Sequence, residues 1–135
     1  MTKQRKKIGI GPEGTMHKNF ARLVRQYEAY NRLKDCAAWT YNAAGEKRSI
    51  MTGALLKAKG LAKGWPDYLF IKSVAKKKQF IAEFIWIEFK APNGKQSDEQ
   101  FDFEVTCQHM QNMRYYLAYS VEQAIKILEK EGFLK

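Results

Sequence analysis

From residue 14 to residue 34, GTMHKNFARLVRQYEAYNRLK sets Met16, Phe20, Leu23, Val24, Tyr27, Tyr30 and Leu33 three or four places apart, with Arg and Lys between them. That spacing gathers the apolar side chains on one stripe of an α-helix, so it predicts an amphipathic helix with a basic outer face. CAAWTYN (36–42) then reads as a short strand and AAGEKRS (43–49) as a charged loop. SIMTGALLKAKG (49–60) predicts a short helix stopped by Gly60. GLAKGWPDYLF (60–70) is a turn-rich approach to a strand, because Trp65 precedes a proline and is pushed towards extended geometry.

DYLFI (67–71) and FIAEFIWIEFK (80–90) predict the arms of an antiparallel hairpin that folds about the basic segment KSVAKKKQ (72–79), between Lys77 and Lys78. SDEQFDFEVTCQHMQN (97–112) predicts a helix, with Ser97 as N-cap and Gln100 at the capping-box position. RYYLAYS (114–120) reads as a strand, and SVEQAIKILEKEG (120–132) as a helix capped by Ser120 and ended by Gly132. The order is helix, strand, helix, hairpin, helix, strand, helix. It predicts an α/β domain over residues 13–135, behind a basic, flexible leader at 1–12, with no repeat or second domain.

Composition changes this picture in three ways. The 135 residues, 45% of them hydrophobic, suffice for one domain with a core. No apolar run reaches the roughly 18 to 20 residues that cross a bilayer, and no apolar h-region follows the basic start, so a soluble cytoplasmic protein is expected. Cys36 and Cys107 stand apart without ligand spacing, which predicts reduced, structural thiols. Charge is the informative quantity. The net of +10 is uneven: residues 1–78 hold 18 Lys/Arg against 5 Asp/Glu, and residues 79–135 hold 6 against 9. A basic surface suits a polyanion, whose neutralised phosphates release counterions, but it is equally what solubility alone requires.

The sharper signal lies in the hairpin. Side chains alternate along a strand, so Glu88 and Lys90 share a face with Phe84 and Trp86. A turn between Lys77 and Lys78 brings Asp67 opposite Glu88, where facing Cβ atoms lie about 4.5 to 5.5 Å apart. Two carboxylates so close repel unless a proton or a cation intervenes. Oxygen ligands favour Mg²⁺ or Mn²⁺, and an ammonium beside such an ion can orient an attacking water and stabilise charge on a phosphate in transition. The competing reading is an ion pair that merely holds the sheet together.

GWPDYLF followed by FIWIEFKAPNGKQSDEQ resembles the PD-(D/E)xK nuclease superfamily, and most closely its VRR-NUC family of viral and cellular nucleases. The likeness runs through a G-x-P-D turn, an E-x-K strand, a segment like APNGKQSDEQ with a Gln at the start of the next helix, and YNAAGEKRS as the family's Asn-Gly-rich, Arg-containing stretch. It covers residues 13 to 130. The resemblance implies a restriction-endonuclease-like fold, a central mixed sheet flanked by helices, and a Mg²⁺- or Mn²⁺-dependent DNA endonuclease. It implies Asp67 and Glu88 as metal-binding carboxylates, Lys90 as the catalytic lysine and Gln100 as the supporting glutamine, with Phe89 turned to the core. The family's acidic residue near the first helix matches Glu13, ahead of the helix, as a third metal ligand; Glu28 is its rival. By analogy with single-domain members, the expected substrate is branched, Holliday-junction-like DNA and the expected assembly a homodimer, with QYEAYNRL and MRYYLAY offering apolar area. The alternatives are an inactive nucleic-acid-binding module of the same fold and a simple nicking or exonuclease enzyme.

Basic residues expected on nucleic-acid phosphates are Arg22, Arg25, Lys47, Arg48, Lys76, Lys77 and Lys78. His17 and His109 have no ligand-spaced partners and are not assigned a role, and Ser97 reads as a cap rather than a nucleophile.

Overall fold

A computed structural model describes residues 12–34, 36–42 and 50–135. Most of the basic leader and the loop that carries Lys47 and Arg48 lie outside the described residues. The elements follow the expected order: α1 (Pro12–Ala29), β1 (Cys36–Tyr41), α2 (Ile50–Ala58), β2 (Tyr68–Lys76), β3 (Gln79–Phe89), α3 (Asp98–Gln108), β4 (Met113–Ala118) and α4 (Val121–Lys130). They build one four-stranded sheet in the order β1-β2-β3-β4. β1, β2 and β3 are antiparallel neighbours, whereas β4 runs parallel to β3 after crossing over through α3. The domain is α/β, with a mixed sheet between helices.

α1 stops four residues before its apolar stripe does. Asn31 takes a left-handed conformation (φ 54°), a helix-ending geometry that asparagine tolerates. Tyr30 is therefore left 76% exposed, and Leu33 pairs instead with Leu134 near the end of the chain. The hairpin is longer than its apolar runs suggest. β2 and β3 pair to the last residue, Lys76 against Gln79, so only Lys77 and Lys78 make the turn, and KSVAKKKQ belongs mostly to the strands. Backbone pairing outweighs weak side-chain patterning here. Both lysines have positive φ (46° and 67°), as a type I′ turn requires.

Alternation along β3 divides its side chains between two layers. Ile85, Ile87 and Phe89 face α1 and α4, where they meet Phe20, Val24 and Leu128 in the core. Trp86 faces the other way and packs edge-on against Phe103 of α3 and Trp65. Glu83 is buried on the α4 side near the hairpin, in a network that joins three strands to the C-terminal segment. Arg114 donates to both Glu131 carboxylate oxygens at 2.6–2.9 Å and to Glu83 at 3.2 Å, while Lys72 lies 3.6 Å from Glu83 and donates to the Glu131 carbonyl. Tyr116 also donates to Glu131. These bonds hold the Glu83 and Glu131 carboxyls below their ordinary range. For Glu83 the Arg114 hydrogen bonds are the leading cause; for Glu131 they and Tyr116 overcome a larger opposing effect of burial.

Left-handed backbone costs a residue with a Cβ about 1–2 kcal/mol, and asparagine or glycine relieves that cost. Replacing Lys77 with Asn and Lys78 with Gly is expected to stabilise the fold by about 1 kcal/mol. Chemical denaturation checks this: the midpoint should rise with an unchanged slope.

Candidate active site

At the C-terminal end of β3, α1 arrives from one face of the sheet and α3 from the other, and each delivers its first turn. Asp67 is the residue before β2. The register that sets Tyr68 against Ile87 places it, one step further, opposite Glu88. Its Oδ2 accepts the main-chain N–H of Phe89 at 2.8 Å, which draws the carboxylate onto the end of β3. Glu88 Oε1 lies 3.9 Å from Lys90 Nζ, with 3% of the glutamate side chain and 12% of the lysine side chain exposed. The structure thus brings Asp67, Glu88 and Lys90 together.

Gln100 joins them from α3. Its backbone N–H donates to the Ser97 hydroxyl, its Oε1 accepts the Ser97 N–H at 2.9 Å, and its Nε2 donates to Glu88 Oε1 at 2.6 Å. One amide closes the capping box and holds the carboxylate. A glutamate at this position could complete the cap but would set another anion against Glu88.

Glu13 comes from α1, within the first turn of the helix rather than ahead of it. Its Oε1 accepts the Ala91 N–H at 3.0 Å, just beyond Lys90. Glu28 is occupied near the other end of α1, where it accepts the Trp39 indole N–H at 2.9 Å. Of the two, only Glu13 lies beside the strand end that carries Lys90. His17 is a site residue that the sequence reading passed over. Its Nε2 lies 3.7 Å from Asp67 Oδ2, its Nδ1 lies 3.3 Å from the Tyr68 hydroxyl, and its ring packs on Tyr68 and Phe89. The signal was present: Glu13 and His17 are four residues apart, hence on one helix face.

Burial is the main reason that both central carboxyls hold their protons well above the usual carboxylate range. For Glu88 the charge of Asp67 adds to burial, and for Asp67 that of Glu13 does; Lys90 opposes both shifts. Glu88 Oε2 is buried and has no hydrogen-bond partner among the described residues. An orphaned carboxylate oxygen beside a second carboxylate fits a hard divalent cation. Asp67 and Glu88 are the residues that would hold Mg²⁺ or Mn²⁺. Among the described residues no three His, Cys, Asp or Glu side chains lie close enough to enclose an ion alone. Two carboxylates are the usual protein share for Mg²⁺, which completes its shell with waters and substrate phosphates.

The basic residues are dispersed. Arg22 and Arg25 are exposed on α1, and Arg22 lines a groove of about 480 Å³ between α1 and the start of α4. Lys76, Lys77 and Lys78 sit at the opposite end of β2 from Asp67, about 30 Å away at 3.3 Å per residue. The segments expected to offer a dimer contact are partly used within the chain: Tyr116 bonds Glu131, and Tyr115 accepts from Gln96. No helix among the described residues is long and apolar enough to cross a membrane. The chain matches no known family, no curated protein and no solved structure.

The raised carboxyls carry a consequence for stability. The folded state binds their protons more tightly than the unfolded state does, so their contribution is complete below about pH 4 and is lost as pH rises through the raised values. In metal-free protein, the melting temperature relative to Glu88→Gln should fall from mildly acidic to mildly alkaline pH, by on the order of 5 °C. Mg²⁺ or Mn²⁺ should restore it most at the alkaline end, where no proton competes. Scanning fluorimetry of both proteins across that range is the check, and a pH-independent difference would count against the raised carboxyls.

Proposed function

We propose that the protein is a divalent-metal-dependent nuclease of restriction-endonuclease-like fold, hydrolysing phosphodiester bonds at the Asp67–Glu88–Lys90 site. The contrast between the two buried glutamates of β3 supports this most directly. Glu83 is compensated by Arg114 and Lys72, and its carboxyl is held low. Glu88 has one bond from Gln100, a lysine at 3.9 Å and an orphaned oxygen, and its carboxyl is held high. A strand that needed only an ion pair would resemble the first. A buried carboxyl so placed keeps a proton until a cation takes the proton's place, which is the state expected of a metal ligand before its metal binds.

In this reading the metal supplies Lewis acidity to the phosphate and makes a nearby water easier to deprotonate. Asp67 and Glu88 would hold it, each fixed by a hydrogen bond from outside the pair. Lys90 orients the attacking water and offsets negative charge growing on the phosphate. Gln100 keeps Glu88 in place, and His17 and Glu13 hold the α1 side of the site. The preferred substrate is DNA, with branched DNA and a homodimer as the most specific form of the proposal. The second reading is a binding module that keeps these residues without turnover; among the described residues no third ligand encloses an ion with Asp67 and Glu88.

Turnover decides between them. With Mg²⁺ or Mn²⁺, the protein should cut DNA from a panel of duplex, single-stranded, flap and four-way substrates. Asp67→Asn, Glu88→Gln and Lys90→Ala should each lower the rate by about 10²- to 10³-fold. The carboxylate variants should also lose metal affinity by calorimetry, whereas Lys90→Ala should keep it. Lys90→Arg should not restore the rate, because a planar guanidinium is aimed differently. DNA binding without metal-dependent cleavage in the unmodified protein would establish the binding module.

A smaller effect is expected at the outlying charges. Replacing Arg22 and Arg25 with Ala should weaken DNA binding and reduce the slope of log affinity against log salt by about one unit per lost phosphate contact. Titrations at several salt concentrations test this, and an unchanged slope would move the DNA off α1.

A further inference from the structure

Beside the carboxylates lies an aromatic cluster that the hydrolytic chemistry does not use. Trp65 remains 45% exposed although its ring contacts Phe103 at a centroid distance of 4.8 Å and Trp86 at 5.7 Å. Trp65 is two residues from Asp67, and Trp86 is two residues from Glu88 on the same face of β3. Its mounting is rigid. On one side, Gly64 has φ 89° and sits so close to the first turn of α3 that a Cβ would fall 2.5 Å from the Glu99 backbone. On the other side, Pro66 is fully buried.

Trp65 also forms a wall of a pocket of about 200 Å³, whose other walls are Asn42, Gly60, Leu61 and Ala62. Asn42 is tied to the segment bearing Asp67: its Nδ2 donates to the Pro66 carbonyl at 3.2 Å and its backbone N–H to the Asp67 carbonyl at 2.6 Å. The pocket and the carboxylate site therefore share one stretch of backbone. Around it the chain is basic, with Lys57, Lys59 and Lys63 all exposed and no acidic residue between positions 50 and 66.

We propose that Trp65 and this pocket take one unpaired nucleobase of a nucleic-acid strand, next to the phosphate presented to Asp67 and Glu88. The proposal rests on the nuclease reading for the identity of that phosphate, and on local chemistry for the base. A held, half-exposed indole offers a flat π-face to any base. The concavity beside it is polar at one wall and apolar at the others, and the lysines suit the backbone of the same strand. A base inside a fully paired duplex cannot reach such a pocket without leaving its stack. The arrangement would therefore confer a preference for flaps, junction points, mismatches or single strands over intact duplex.

The test is binding, measured by fluorescence anisotropy with Ca²⁺ in the Glu88→Gln background so that no cutting intervenes. The probes are a labelled duplex, the same duplex with one unpaired nucleotide, and that probe with the unpaired nucleotide made abasic. The unpaired probe should bind about tenfold more tightly than either of the others. Trp65→Ala should erase that advantage without weakening duplex binding, and Trp65→Phe should keep most of it. Trp65→Ala and loss of the base should not be additive, since either one removes the same stack. A purely packing role for Trp65 would instead weaken all three probes alike, and that result overturns the proposal. So does equal affinity for all three probes in the Glu88→Gln protein itself. Cleavage by the unmodified protein with no Trp65-dependent preference would leave the nuclease standing and remove the base site. A Trp65-dependent preference in a protein that never cleaves would do the reverse.

Discussion

The register of the β2–β3 hairpin is the constraint on which the site depends. Counting outward from the two-residue turn at Lys77 and Lys78, nine paired positions lead to Tyr68 against Ile87, and the next step brings Asp67 to Glu88. A slip of one residue would send every side chain of one strand to the other face. Ile85, Ile87 and Phe89 would leave the core, so the apolar packing against α1 and α4 locks the register that juxtaposes the carboxylates. The cost of bringing two acids together is thus borne by the burial of their neighbours. Each fully buried side chain of that size contributes about 1.5–3 kcal/mol.

Helix placement completes what register begins. α1 and α3 lie on opposite faces, yet both start at the same end of β3, and the N-terminus of a helix carries partial positive charge. Glu13 and Gln100 are therefore first-turn residues reaching one site from two layers. Gln100 shows how tightly local and tertiary needs are combined, because its carbonyl oxygen caps α3 while its amide nitrogen holds Glu88. Gly64 adds a third constraint. Its lack of a side chain lets the loop that carries Trp65 and Asp67 dock on the start of α3.

Two buried acids on one strand, Glu83 and Glu88, separate the stabilising use of charge from the poised use. The first is enclosed by Arg114, Lys72 and the C-terminal segment, and it fastens the chain end to the sheet. The second has one hydrogen bond from Gln100, with Lys90 at 3.9 Å, and its other oxygen has no partner among the described residues. The same residue type on one strand thus has opposite electrostatic fates: hydrogen bonds from Arg114 hold Glu83 low, whereas deeper burial and the neighbouring Asp67 hold Glu88 high.

The order of elements, the caps at Ser97 and Ser120, the turn between Lys77 and Lys78 and the pairing of Asp67 with Glu88 were all legible in the sequence. They depend on local geometry: a period, a capping residue, a count from a turn. The end of α1 and the true length of the hairpin were less legible, because the backbone at Asn31 and the ladder from Ser73 to Lys76 follow tertiary pairing rather than side-chain pattern. The contact of Glu13 with the strand end at Ala91, the arrival of His17 beside Asp67 and the pocket under Trp65 belonged to tertiary structure alone. Each joins residues that are remote in the chain or separated by a layer of sheet. Sequence spacing defines which side chains share a face of one element, but which faces meet is decided by the packing of the whole domain.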